Sequence, residues 1–130
     1  MSHTEAHVDG SVQKNHLGPS QAKAGYGVHS TQGNLPDMQR EVSGSQTVSR
    51  AEAEPVRGAV NQAHSAGYGS IDVHTDSNEN LRGLEGRSTN NKDIWNQVDQ
   101  VKSQGMIVKG FKVSSGENQA HDLAQQGAKK

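Results

Sequence analysis

The chain contains no cysteine, which excludes disulfides and thiolate metal sites and permits a reducing compartment. Aromatic residues are scarce: one Trp, one Phe and two Tyr in 130 residues, too few for a large aromatic core. No stretch approaches the ~18 consecutive apolar residues that a membrane span requires, so no membrane association is expected. The opening MSHTEAHVDG has neither a basic n-region nor an apolar h-region, which argues against a secretory signal. An intracellular location, cytoplasmic or nuclear, is the expectation. Neither sign of charge is in excess, the net charge being −1. A strongly basic nucleic-acid binder would show a different balance, so any nucleic-acid contact must be local or metal-assisted.

Large apolar residues are also sparse. Only 29% of the chain is hydrophobic, and fifteen residues are glycine. Composition alone fits a hydrophilic, largely disordered protective chain. The order of the residues argues for a fold. Ala6-His7-Val8 reads as a short strand and Asp9-Gly10-Ser11 as the turn after it. Residues 12–24, with Gly18-Pro19, read as a loop, and Ala24 to Ser30 alternates as a second strand. Gly33 to Asp37 is turn chemistry, and Arg40 to Gly44 is a third strand, completing an antiparallel meander.

The period then changes. Ala53, Val56, Ala59, Val60 and Ala63 share one face of a helix over residues 50–66, which should start close to Pro55 or bend there. Gly67-Tyr68-Gly69 ends it. Ile71, Val73 and Thr75 alternate as a fourth strand. Asn78 to Leu84 is a short helix with Leu81 and Leu84 inward, and residues 85–92 are a loop. Asp93 to Lys102 forms a helix with Ile94, Trp95, Val98 and Val101 on its apolar face and Asp93 as its cap. Trp95 reads as core. Met106-Ile107-Val108 opens a fifth strand, and Glu117 to Gln126 is a last helix that Gly127 stops, with Lys129-Lys130 as a solvated tail. Strands mixed with helices in a single domain over residues 1–130 indicate an α/β or α+β sheet with helices on its faces.

Two acidic residues fall at strand ends, Asp9 and Asp76, and Glu52 lies in the opening turn of the first long helix. If the strands are neighbours, the three carboxylates face one another and repel unless a cation sits between them. Mg²⁺ and Mn²⁺ take oxygen ligands and leave room for water and a substrate phosphate. Two such ions can activate a water and stabilise the leaving oxygen of a phosphodiester. His7, His29, His64 and His74 lack i,i+4 metal pairing and read as strand or surface residues. Gly25-Tyr26-Gly27 lies in a strand and opens no helix, so it is no phosphate loop. Its glycines suit close backbone approach at the sheet edge.

Seven segments in order make the chain resemble type 1 ribonuclease H: Val8 to Ser11, Ala24 to Val28, Thr47 to Glu52, Thr75 to Ser77, Asp93 to Trp95, Val108 to Gly110, and Ala120 to Ala124 with Gly127-Ala128. The resemblance implies a five-stranded mixed sheet flanked by helices, dependence on two Mg²⁺ or Mn²⁺ ions, and an RNA–DNA hybrid as partner of a monomer. It implies Asp9, Glu52 and Asp76 at the first three acidic positions. It implies substrate contacts at Gly10, Ser11, Thr47, Ser49 and Asn78.

The pattern departs from the family in four places. The fourth acidic position holds His121, with Asp122 one step on; a one-residue step turns a helix by about 100°. His121 reads as a catalytic and metal-site member, because neutral imidazole suits Mn²⁺ better than Mg²⁺. The paired Asn common in the family are Val48 and Ser49. The loop from Phe111 to Gly116 lacks the family's His. The basic helical insertion before the Trp95 helix is missing, with only residues 85–92 in its place. The reading is a metal-dependent endoribonuclease acting on the RNA strand of hybrids. The alternative is a catalytically impaired ribonuclease H-like binding module.

Overall fold

The computed structural model describes residues 2–13, 23–31, 35–42 and 47–128. Five strands, β1 (His3–Gln13), β2 (Lys23–Ser30), β3 (Met38–Glu41), β4 (Ser70–Thr75) and β5 (Ile107–Lys112), form one sheet in the order β3-β2-β1-β4-β5. β1 pairs antiparallel with β2 and parallel with β4, β2 pairs antiparallel with β3, and β4 pairs parallel with β5. Four helices accompany it: α1 (Val48–Ser65), α2 (Asn78–Leu84), α3 (Lys92–Ser103) and α4 (His121–Ala128). The expected mixed sheet with flanking helices is what the chain forms. A short loop joins α2 to α3, with no inserted helix.

The core answers the compositional objection. It is built mainly of alanine and valine, with Tyr26, Ile71, Leu84, Ile94, Trp95 and Met106 the larger members. Small side chains bury enough apolar area only if backbones come close. Glycine supplies that closeness. A Cβ at Gly25 would lie 2.0 Å from the Ala128 nitrogen, and one at Gly27 2.5 Å from Leu123 Cβ, so α4 packs onto the β2 backbone. The close approach expected of these glycines is therefore present, on the face of an inner strand rather than at an edge.

Several sequence expectations are corrected. Asp9-Gly10-Ser11 is not a turn; these residues continue β1, opposite Gly27, Tyr26 and Gly25. Of the loop expected over 12–24, residues 12–13 belong to β1 and 23–24 to β2, and residues 14–22 lie outside the described residues. α1 begins at Val48, capped by Thr47, and Pro55 lies well inside it. Proline lacks the N–H that would bond Ala51 O, and that carbonyl is the atom packed over Gly10. The last helix starts at His121, after a turn of 3₁₀ helix at Ser115–Glu117. Gly127 does not stop α4 but lies buried within it, where a Cβ would meet Arg40 O at 2.5 Å. Asp93 does not cap α3. Asn91 holds the cap position with φ 55°, and Asp93 turns to Arg50. Leu84 is buried and Leu81 half-buried, and Trp95 is core. Gly18-Pro19, Gly33-Asn34, Ser43-Gly44 and Lys129-Lys130 lie outside the described residues.

Candidate metal centre

The parallel register of β1 and β4 brings the first two carboxylates together. His7 is opposite His74, so Asp9 and Asp76, each two residues on, stand level just beyond the last pair. Two residues of strand return a side chain to the same face. The third carboxylate arrives from above. Gly10 has no side chain, and a Cβ there would fall 2.2 Å from Ala51 O. α1 can therefore rest on the β1 backbone and carry Glu52 to the pair. Oxygens of Asp9, Glu52 and Asp76 lie within 4.8 Å of one another.

The electrostatics of this cluster are those of a site short of positive charge. Glu52 is pushed from 4.5 up to about 8, first by burial and then by the charges of Asp9 and Asp76. Asp9, itself 3% exposed, is also raised, chiefly by burial. Glu52 Oε2 is buried with no hydrogen-bond partner. Such an atom costs free energy unless a proton or a cation meets it. The donor set is all carboxylate oxygen, which matches a hard divalent ion. The residues present thus fit a hard divalent ion such as the Mg²⁺ or Mn²⁺ expected from the sequence.

His121 lies at the same centre. Its Nδ1 is 3.0 Å from Asp9 Oδ2, and the Gln125 amide approaches its Nε2 at 3.2 Å. If Gln125 Nε2 donates there, the ring proton belongs on Nδ1, which donates to Asp9. That bond works against the burial effect on Asp9. Asp122, one residue on, is exposed. Glu54, the rival of Glu52, is buried in a different network: it accepts from Arg50 Nε at 3.0 Å and lies 3.6 Å from Arg57. Arg50 also donates twice to Asp93, both at 2.8 Å, which draws Asp93 down to about 2 and fastens α3 to α1.

The residues expected to touch substrate each lie within five positions of one of the three acids along the chain. Gly10 N–H donates to Asp9 Oδ1 at 3.0 Å, and Ser11 is half-buried opposite Gly25. The Thr47 hydroxyl accepts from the Arg50 N–H at 3.2 Å, so its first role is capping α1. Ser49 is exposed and accepts at Oγ from Asn91 Nδ2 at 3.0 Å. Asn78 is exposed and accepts from Lys112 Nζ at 3.0 Å.

Three positioning residues escaped the sequence reading. Asn80, 1% exposed, donates to the Glu52 carbonyl at 2.7 Å and to Thr75 Oγ1 at 3.0 Å, locking α1 to the end of β4. Its signal was a polar residue one helical turn before Leu84, on the inward face. Asn118 donates to Val8 O at 2.8 Å and accepts from Ala120 N–H at 3.0 Å, which sets where α4 begins. An Asn just ahead of the Ala120–Ala124 stripe was the available cue. Lys112 Nζ donates to the Asp76 carbonyl at 2.6 Å, and its charge partly relieves Glu52. No local pattern marks it.

The family model described as "Reverse transcriptase-like" matches residues 7–124. No curated protein matches. Among solved structures, the N-terminal RNase H domain of a Mycobacterium tuberculosis protein superposes with a TM-score of 0.76 at 20% identity, covering 97% of this chain and 98% of that one. RNase H1 of Halobacterium salinarum gives 0.71 at 23% identity, covering 97% of each. LC11-RNase H1, solved in complex with an RNA/DNA hybrid, gives 0.74 at 18% identity, covering 97% and 96%. At these identities the likeness establishes a shared fold.

Proposed function

The chain belongs to the reverse transcriptase-like family, and from that premise we propose that it is a metal-dependent endoribonuclease hydrolysing the RNA strand of RNA–DNA hybrids. One observation carries the reading: three carboxylates converge within 4.8 Å, and a buried oxygen of one has no partner. Asp9, Glu52 and Asp76, with His121 at the fourth position, would hold two Mg²⁺ or Mn²⁺ ions, which supply an activated water and charge stabilisation at the phosphodiester. The chain's own groups do the rest. Glu52 also accepts from the RNA 2′-hydroxyl, the group that distinguishes RNA from DNA. Ser49 and Asn78, both exposed, and the backbone at Gly10 to Ser11 hold the hybrid in register. Thr47 fixes the start of α1, so Ser49 and Glu52 keep their spacing.

The His121–Asp9 contact supports one second reading, a family member that binds hybrids with impaired turnover, because the His121 imidazole is hydrogen-bonded to a carboxylate the chemistry needs free. Cleavage of a labelled hybrid in Mg²⁺ and in Mn²⁺ separates the two. The enzyme reading expects cleavage, and Asp9→Asn is expected to reduce it on the order of 10³-fold. Activity that survives Asp9→Asn would sink the mechanism. Hybrid binding without cleavage in either metal would favour the second reading.

A further inference from the structure

A second group of metal-ligating side chains lies on the same face of the same two strands. It stands four to six β1 residues back from Asp9, or roughly 13–20 Å at the usual rise of a strand. Glu5 faces Asp72 across the β1–β4 pair, and His3 faces Ser70. Two acids directly opposite one another destabilise a sheet unless positive charge joins them. The imidazole of His3 lies beside them as a hydrogen-bond partner. Its Nε2 is 3.2 Å from Asp72 Oδ2, and donor atoms of His3, Glu5 and Asp72 all lie within 4.8 Å of one another. His74 Nε2, on the other side of Glu5, is 3.7 Å from Glu5 Oε1.

The His3 ring is also held from behind. Its Nδ1 is 2.6 Å from Ser70 Oγ. A hydroxyl on one ring nitrogen fixes the ring and turns the other nitrogen toward the carboxylates, the outer-shell arrangement that orients metal-ligating histidines. Ligand atoms around a tetrahedral zinc stand roughly 3.4 Å apart, given bonds of about 2.0–2.2 Å. The His3–Asp72 separation already meets that spacing, and half-exposed Glu5 offers an oxygen within 4.8 Å of both. A divalent ion would neutralise the two carboxylates with both imidazoles uncharged. Mixed nitrogen and oxygen donors favour a borderline transition ion over Mg²⁺.

We propose that His3, Glu5 and Asp72 form a second metal site, selective for a zinc-class divalent ion, that ties the start of β1 to β4. His74, 3.7 Å from Glu5 alone, stands outside that group. The site is independent of the acidic centre and of what that centre does.

Zinc binding tests it directly. Calorimetric titration with Zn²⁺ uses an Asp9→Asn, Glu52→Gln protein, in which the acidic centre is disabled. One ion per chain is expected, undisturbed by millimolar Mg²⁺. Adding His3→Gln or Asp72→Asn is expected to weaken binding at least tenfold, and Ser70→Ala by about tenfold through loss of the outer-shell contact. Zn²⁺ should raise the melting temperature of the disabled protein and leave that of the His3→Gln form unmoved. Co²⁺ in place of Zn²⁺ should give visible absorption that His3→Gln removes. Absence of zinc binding to the disabled protein, or binding unchanged by His3→Gln and Asp72→Asn, would overturn the proposal.

Discussion

One face of the β1–β4 pair carries four successive cross-strand levels: His3 with Ser70, Glu5 with Asp72, His7 with His74, and then Asp9 level with Asp76. The two acid pairs differ in how their charge is met. Glu5 and Asp72 are partly exposed and have imidazoles beside them, His3 at 3.2 Å and His74 at 3.7 Å. Asp9 and Asp76 gain a third acid from α1, with His121 beside Asp9 and the Lys112 ammonium held on the Asp76 carbonyl. Between them, the stacked rings of His7 and His74, with centroids 4.9 Å apart, separate the two ends. The same strand chemistry gives a half-exposed cluster with imidazoles beside it at one end and a charge-starved pocket at the other. What differs is burial, and α1 and α4 supply it.

The largest expected effect comes from breaking the acidic end through its backbone. Gly10→Ala places a Cβ 2.2 Å from Ala51 O, where only backbone movement can relieve the overlap. α1 must lift and carry Glu52 away from Asp9. Urea unfolding should show a loss of about 3 kcal/mol, with hybrid cleavage falling to background. A Gly10→Ala protein with parental stability would show that the close approach of α1 is not what builds the pocket.

The next effect is electrostatic and has a definite sign. In the absence of divalent cations Glu52 releases its proton near 8, against 4.5 when exposed. Between these values the folded chain holds a proton that the unfolded chain has lost. Stability is therefore full below about 4.5 and declines as pH rises toward 8, the raised Asp9 adding to the same trend. Partial solvation of the pocket reduces the size of the decline to on the order of 2 kcal/mol. Melting curves from pH 4 to 9 should show it, Glu52→Gln should flatten it, and Mg²⁺ or Mn²⁺ at pH 8 should reverse it. A Glu52→Gln protein with the parental slope would refute the assignment.

These effects also explain which parts were legible in the sequence. Period carried the elements: the alternation of Ile71, Val73 and Thr75 and the helical face from Ala53 to Ala63 are buried as their spacing requires. The failures have a common cause. Asp9-Gly10-Ser11 carries turn chemistry, yet Gly10 serves the contact with α1, and Gly127 serves the contact of α4 with β2 and β3. A glycine needed for close approach looks locally like a glycine needed for a turn. The three acids could be named because their order along the chain resembles a known pattern. Asn80, Asn118 and Lys112 could not, because each acts on a backbone carbonyl distant in sequence.

The smallest effect probes the one place where the two ends resemble each other, the imidazole beside the acid. His121→Asp removes the bond from Nδ1 to Asp9 Oδ2 and makes the centre an all-oxygen set. An oxygen set suits Mg²⁺, whereas an imidazole suits Mn²⁺ relatively better. The ratio of Mg²⁺-supported to Mn²⁺-supported hybrid cleavage should rise about tenfold, equivalent to about 1.4 kcal/mol of differential stabilisation. The metal-free protein should melt slightly lower, because a fourth carboxylate adds repulsion where Asp9 is already raised by burial and by Asp76. Zinc binding at His3, Glu5 and Asp72 should not change. A metal ratio that stays put in His121→Asp would mean that His121 is only a neighbour of the centre, and that three carboxylates alone set its preference.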